Sequence, residues 1–459
     1  MSHATHHPEL HATAEQGILN APAGVLRGAD SWHIFHQYQP TIQAAPRWAH
    51  QVSPAAPYDW VICDDVLAPV GTETQLRAGS VAHDGNTADL FFTSVTEDGC
   101  SIHVATIENI AETLAEISDD ALHLDEHVVR CGEVLADRDG FTDFRSPCVF
   151  PKDNGWLMLA VTGKTEHPTL VISESTDRRN WNVLGPLTFQ GTTNLENEQR
   201  LVAPRIIQLR DELHPDSEEL FDILIVTLER DGIDHSGYLV GRLDGTVFTV
   251  RTPFQRLDFG HDFTRPRNTN TLDHATYGRA ALFGLMNGIG RYDDPTTHHS
   301  LKTEDWANCL SVPRLTTLEG GLLFQTPAFG LPAAVEQTNW ARMWTGLFDA
   351  SEGAVTVTLY NPDESIAAVV RHSGDRLQFD RSMNPHHLGS PIAEAELIAA
   401  DTDALTILVD GSTVEIFADG GVATMASRVY FDTYCAHLEV ETTGDATVLQ
   451  CYEVTGSEL

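Results

Sequence analysis

Three kinds of side chain in this sequence have the chemistry of a reactive or anion-binding site. Asp143, Glu196, Glu198 and Asp262 are carboxylates of the type that serves as nucleophile or proton donor. Arg77, Arg145, Arg205, Arg265 and Arg267 carry planar guanidinium groups, which meet phosphate and carboxylate through paired hydrogen bonds. His33, His36 and His50 titrate near neutral pH and suit acid/base work, although alternation along a strand sends His33 and His36 to opposite faces, so both cannot serve one site. Each group also has an ordinary reading. In a chain with 66 Asp and Glu against 28 Lys and Arg, an arginine finds a carboxylate to pair with easily, and Asp143, Glu196 and Glu198 read equally as solvated loop charges. Asp262 divides evenly between a pocket role and a structural one. His3, His6, His7 and His11 are of metal-ligating type, but a terminal tract of this kind reads as mobile and unliganded. No Gly-rich phosphate loop, zinc-type spacing or G-x-S-x-G elbow occurs, so neither a cofactor nor a metal is expected.

The elements that must position these groups read as strands. Asp89–Thr93, Trp156–Val161, Phe221–Val226 and Leu405–Val409 are short apolar alternations separated by Gly, Asp and Asn turns, the pattern of an all-β propeller, barrel or sandwich. Helical spacing is rare and is best at Ile107 to Ile117. A length of 459 residues with 42% hydrophobic content allows two domains with real cores, and the two prolines and glycine of Phe324–Pro332 mark the expected boundary. A net charge of −38 argues against nucleic acid and anionic membrane as partners. Seven scattered cysteines without C-x-x-C spacing read as reduced, buried thiols, and no signal-peptide pattern or membrane-length apolar run is present, so the cytoplasm is the expected location.

Motifs along nearly the whole chain resemble those of family 32 glycoside hydrolases, the invertase, inulinase and levanase group. Asn20–Gly24 followed by Trp32–Pro40 is similar to the family's N-D-P-N-G and W-H-L-F-Y-Q-Y-N-P; Phe144–Phe150 is similar to its R-D-P segment; Leu201–Leu209 is similar to W-E-C-P-D-L-F-P-L. Trp48–Ser53, Leu76–Ser80, Leu257–Phe263, Leu310–Leu315, Leu377–Ser382 and Val409–Phe417 resemble further family segments. The resemblance implies a five-bladed β-propeller over residues 1–325 followed by a C-terminal β-sandwich over residues 333–459.

It also implies that the chemistry has been removed. The positions of the family's nucleophile, transition-state stabiliser and general acid/base fall on Ala21, Ser146 and Val202. A retaining glycosidase needs two carboxyl groups about 5 Å apart across the scissile bond, and these three residues supply neither. By the same resemblance Asn20, Gln37, Trp48, Arg77, Ser80, Arg145, Arg205 and Asp262 are expected at a ligand. Arg77 and Arg205 stand where the family has an aromatic wall and an aspartate, which would turn an acidic pocket basic and suit a sugar phosphate or carboxylated sugar. The favoured reading is a catalytically silent homologue that binds a fructosyl-type or anionic sugar. Two others stay open: an active β-fructofuranosidase using displaced carboxylates among Asp143, Glu196, Glu198 and Asp262, and a scaffold subunit that forms homo- or hetero-oligomers through its sandwich.

Overall fold

The computed structural model describes residues 6–459 apart from 29–30, 55, 85–86, 111–116, 119–122, 153–154, 196–199, 215–216, 231–232, 272–276, 288–293, 388–390 and 399–402. Five antiparallel sheets are arranged around one axis, each beginning with an inner strand: β1 (Gly17–Arg27), β2 (Gln75–Asp84), β3 (Arg145–Lys152), β4 (Arg200–Leu209) and β5 (Thr264–Thr271). Each sheet grows outward as a meander, for example from β3 to Gly155–Thr162, Thr169–Ser175 and Asn182–Pro186. The first and last blades are joined by parallel pairing of Val25, Leu26 and Arg27 with Thr269, Asn270 and Thr271, which closes the ring. Closure matters because an open β ring would leave unpaired edges.

The apolar alternations form strands because residues two apart share a face and must be covered by the next blade. The four segments expected as strands lie within Thr87–Thr96, Gly155–Thr162, Phe221–Arg230 and Asp403–Asp410. The helix expected at Ile107 to Ile117 is not formed over its described residues: Ile107 ends the strand Gly99–Ile107 and a turn follows, because its apolar residues complete a blade instead of a helical stripe. The two α-helices among the described residues are short, His299–Glu304 and Leu331–Gln337. After the second helix, two five-stranded antiparallel sheets form the sandwich around Phe348, Val357, Phe379, Ile407 and Ile416.

The N-terminal histidine tract is docked, contrary to its expected mobility, from His6 onward; His3 lies outside the described residues. His6 Nδ1 is 2.8 Å from Glu304 and its Nε2 is 2.8 Å from the carbonyl of Phe431. His11 is buried between Asp410 (2.7 Å) and Glu415 (3.1 Å), and the backbone N–H groups of Glu9 and Leu10 also donate to Asp410. Gly411 makes room for this tract, since a Cβ there would lie 2.7 Å from the backbone of His6 and His7. Leu10, Ala12 and Ala14 join a mixed core with Trp32, Phe283, Met343 and Phe417, so the terminus ties propeller to sandwich. All seven cysteines are free, as expected, but Cys131 and Cys451 are exposed rather than buried.

Candidate functional site

All five inner strands carry a register irregularity near the same level. In β1 it falls between Leu19 and Gly24, in β2 between Arg77 and Ser80, in β3 between Arg145 and Cys148, in β4 between Val202 and Arg205, and in β5 between Thr264 and Arg267. A bulge leaves one residue without a ladder partner and re-aims its side chain, and such irregularities gather beside active sites. Three bulges place a non-glycine residue at positive φ: Ser146 (53°), Ala203 (49°) and Arg265 (49°). Each such conformation stores on the order of 1–3 kcal/mol and persists where the surroundings enforce it. Residues just past the bulges, including Gly24, Ser80, Cys148, Arg205 and Arg267, surround one axial cavity. The bulges therefore form a ring one layer above that cavity, and Ala21, Ser146 and Val202 belong to this ring.

At Ala21, Ser146 and Val202 the ring is apolar or neutral. Ala21 is buried and packs in one cluster with Ala23, Phe35, Trp48, Leu76 and Ala78. Its N–H is taken by Asn20 Oδ1 at 2.8 Å. Ser146 is half-buried and its N–H donates to Thr93 Oγ1 on the neighbouring blade at 3.0 Å. Val202 is half-buried beside the bulge at Ala203.

Of the expected ligand contacts, Asn20, Gln37 and Arg145 are half-buried and Arg77 is exposed. Gln37 Nε2 donates to the carbonyl of Leu76 at 3.1 Å. Arg145 donates to the carbonyls of Asp143 and Gly163 at 2.9 and 2.6 Å. Burial draws the Arg145 guanidinium below its ordinary pKa, with neighbouring Arg77 acting in the same direction. Arg77 makes no side-chain hydrogen bond or ion pair with the described residues.

The other four residues expected at a ligand are enclosed. Trp48 is fully buried and donates its Nε1–H to the carbonyl of Arg77 at 3.1 Å. Ser80 accepts the N–H of Val149 at 3.0 Å. Arg205 is buried below the ring and donates to the carbonyls of Gly79 and Pro147. Asp262 is fully buried at the domain seam, where it accepts from Arg381 Nη1 and from the N–H of Arg428, both at 2.8 Å. Of the displaced carboxylates, Glu196 and Glu198 lie outside the described residues, and Asp143 accepts the N–H of Cys100 at 3.3 Å. Arg265 pairs with Asp234.

The histidines do not supply an acid or base to the ring. His33 Nδ1 lies 3.1 Å from His50 Nε2, and His36 Nε2 lies 3.0 Å from Gln51 Nε2, the alternation that strand geometry requires. Burial lowers His33 and His36 to about 4, and His50 is also lowered, so all three are neutral at physiological pH. Away from the axis, His372, Asp403 and Asp419 form a group of metal-ligating type. His372 Nε2 lies 3.2 Å from Asp419, and the two carboxylates accept the N–H groups of Ala350 and Ala404, which accounts for them as a structural network.

Sequence reasoning missed the cavity and the part of Cys148 and Asn268 in its lining. The signal is the recurrence of one irregularity in five strands, which becomes visible only once the strands are paired.

Comparison with known proteins agrees with this fold. Residues 11–327 match the glycosyl hydrolases family 32 N-terminal domain and residues 345–455 match the family 32 C-terminal domain. The chain is 27% identical to the sucrose-6-phosphate hydrolase of Bacillus subtilis, over 93% of this chain and 89% of that protein. It is 23% identical to the raffinose invertase of Escherichia coli, over 93% and 90%. The solved sucrose-6-phosphate hydrolase of Lactobacillus gasseri superposes with a TM-score of 0.78 at 19% identity, covering 100% of this chain and 95% of that one. A Bombyx mori β-fructofuranosidase, solved as an aspartate-to-alanine mutant in complex with sucrose, superposes with a TM-score of 0.76 at 18% identity, covering 98% and 94%.

Proposed function

The chain belongs to glycosyl hydrolase family 32, and from that premise we propose that it binds a fructosyl-type or anionic sugar at the bulge ring without hydrolysing it. The observation that carries this reading is the occupancy of the ring by Ala21, Ser146 and Val202, at or beside the bulges of β1, β3 and β4. With no carboxylate at any of the three positions, nucleophilic attack, charge stabilisation and leaving-group protonation are all lost. Removing one member of such a set lowers rate by on the order of 10⁴ to 10⁶, and further losses add little.

Binding needs less than catalysis. Asn20, Gln37 and Ser146 retain polar atoms for sugar hydroxyls, while Arg77 offers an uncommitted guanidinium in reach of solvent. The Bombyx mori neighbour is an aspartate-to-alanine protein of the same fold that holds sucrose, which supports binding without the full carboxylate set. Several relatives are named for sucrose 6-phosphate, and a sugar phosphate is the ligand class that Arg77 and Arg145 favour by charge.

Calorimetric titration with fructose, sucrose, fructose 6-phosphate and sucrose 6-phosphate tests the reading. Binding of at least one sugar, with the phosphorylated forms tighter, is expected. Absence of heat with all four, under conditions where the protein is folded, contradicts it.

A further inference from the structure

Below the bulge ring two guanidinium groups share an enclosed space without a carboxylate. Arg205 is 1% exposed and Arg267 is 3% exposed. Both donate to the same carbonyl oxygen, that of Gly79, at 2.6 Å from Arg205 Nη2 and 3.2 Å from Arg267 Nε. Gly79 itself packs too closely for a side chain, since a Cβ there would lie 1.9 Å from the carbonyl oxygen of Phe91. Their other bonds go to the carbonyls of Pro147, Pro204, Arg265 and Pro266. Among the described residues, Arg205 Nε is buried with no partner and Arg267 Nη2 makes no hydrogen bond.

Arg428, equally buried, bonds to Ser412 and lies over the rings of Trp306 and Tyr430, but two other deeply buried arginines meet carboxylates. Arg314 pairs with Asp258 and Glu415, and Arg381 pairs with Asp262. A guanidinium does not shed its proton in a protein, so two of them buried together demand a counter-charge that the carbonyls supply only in part. The cavity they border, of about 10 Å³, is also lined by Gly24, Ser80, Cys148 and Asn268. That is space for roughly one water-sized guest, too small for a sugar or a phosphate. Ser80 accepts the N–H of Val149, which leaves its own hydroxyl hydrogen for such a guest.

We propose that this axial cavity binds one monatomic anion of the halide class, held by Arg205, Arg267 and Ser80, and that the anion lets the five inner strands close around two unpaired guanidinium groups. The site lies beneath the ring proposed to hold sugar and does not depend on what occupies that ring.

Bromide is the probe. Crystals of the full chain grown in sodium bromide should show an anomalous peak between Arg205 and Arg267. Thermal unfolding in sodium bromide should occur on the order of 3 °C above that in sodium gluconate of equal ionic strength, once bromide exceeds its Kd about 100-fold. Arg267→Met should remove both the peak and the salt difference; if that variant does not fold, the peak in the native protein decides the matter. No peak and equal melting in the two salts overturns the proposal. So does an ultraviolet thiolate band that disappears in Cys148→Ser, which would make the neighbouring thiol the counter-charge.

Discussion

The seam between propeller and sandwich and the ring at the propeller axis treat charge in opposite ways. At the seam, three buried cations meet opposite charges: His11 lies between Asp410 and Glu415, Arg314 between Glu415 and Asp258, and Arg381 against Asp262. At the axis, the positions that could set carboxylates against a sugar hold Ala21, Ser146 and Val202, and the arginines beneath them donate to carbonyls. A chain with 66 acidic residues has no general shortage of carboxylates, so their absence at Ala21, Ser146 and Val202 is local. The contrast separates two uses of an acidic side chain. Where Asp410, Glu415, Asp258 and Asp262 join the domains they are paired; the ring positions Ala21, Ser146 and Val202 carry no acid.

The sharpest way to break this contrast is to unpair the seam. Arg314→Met leaves Asp258 buried without its cation and Glu415 with His11 alone, and should destabilise the protein by about 3–5 kcal/mol, read by denaturant unfolding. A loss below about 1 kcal/mol would mean that the seam tolerates unpaired charge as the axis does.

A smaller effect is expected from pH. Burial alone would lower the pKa of His11, but its hydrogen bonds to Asp410 and Glu415 outweigh that and raise it to about 9. The folded value lies above the unfolded one, so the stabilisation is complete below pH 6.5 and is lost as pH rises through about 9. It amounts to roughly 3 kcal/mol. Denaturant unfolding at both ends of this window should show the decline in the native protein and a much flatter profile in His11→Ala.

Restoring the family carboxylates probes the other side. The triple change Ala21→Asp, Ser146→Asp and Val202→Glu puts an acid into the apolar cluster around Ala21 and should leave the melting temperature unchanged or lower stability by about 1–3 kcal/mol. A large stabilisation would show that the ring is organised for carboxylates after all. The smallest effect is on ligand preference. Arg77 offers one exposed charge-assisted contact, so Arg77→Ala should weaken fructose 6-phosphate about tenfold while leaving fructose unchanged.

Much of the fold was legible because a strand's face pattern is local: the alternations at Asp89–Thr93 and Phe221–Val226 sit in strands, and the family motifs keep their spacing. That Ala21, Ser146 and Val202 lie on strands was legible for the same reason. The direction of Arg205 was not. The irregularity between Val202 and Arg205 breaks the alternation that would otherwise aim its side chain, and nothing in the composition of the strand marks that extra residue. The N-terminal histidines were misjudged because the partners of His11 lie about 400 positions away, at Asp410 and Glu415, beyond the reach of any local pattern. Asp262 presents the same difficulty: its motif neighbours are intact, but its use is set by Arg381 and Arg428 in the other domain.

The measurement that tests the account most directly is turnover. Purified protein, free of contaminating hydrolases, should release no fructose from sucrose, sucrose 6-phosphate, inulin or levan above the uncatalysed background, because Ala21, Ser146 and Val202 supply no nucleophile, stabiliser or acid. Sustained release of fructose that is abolished by changing Asp143, Glu196, Glu198 or Asp262 would contradict the account and identify the carboxylate that took over.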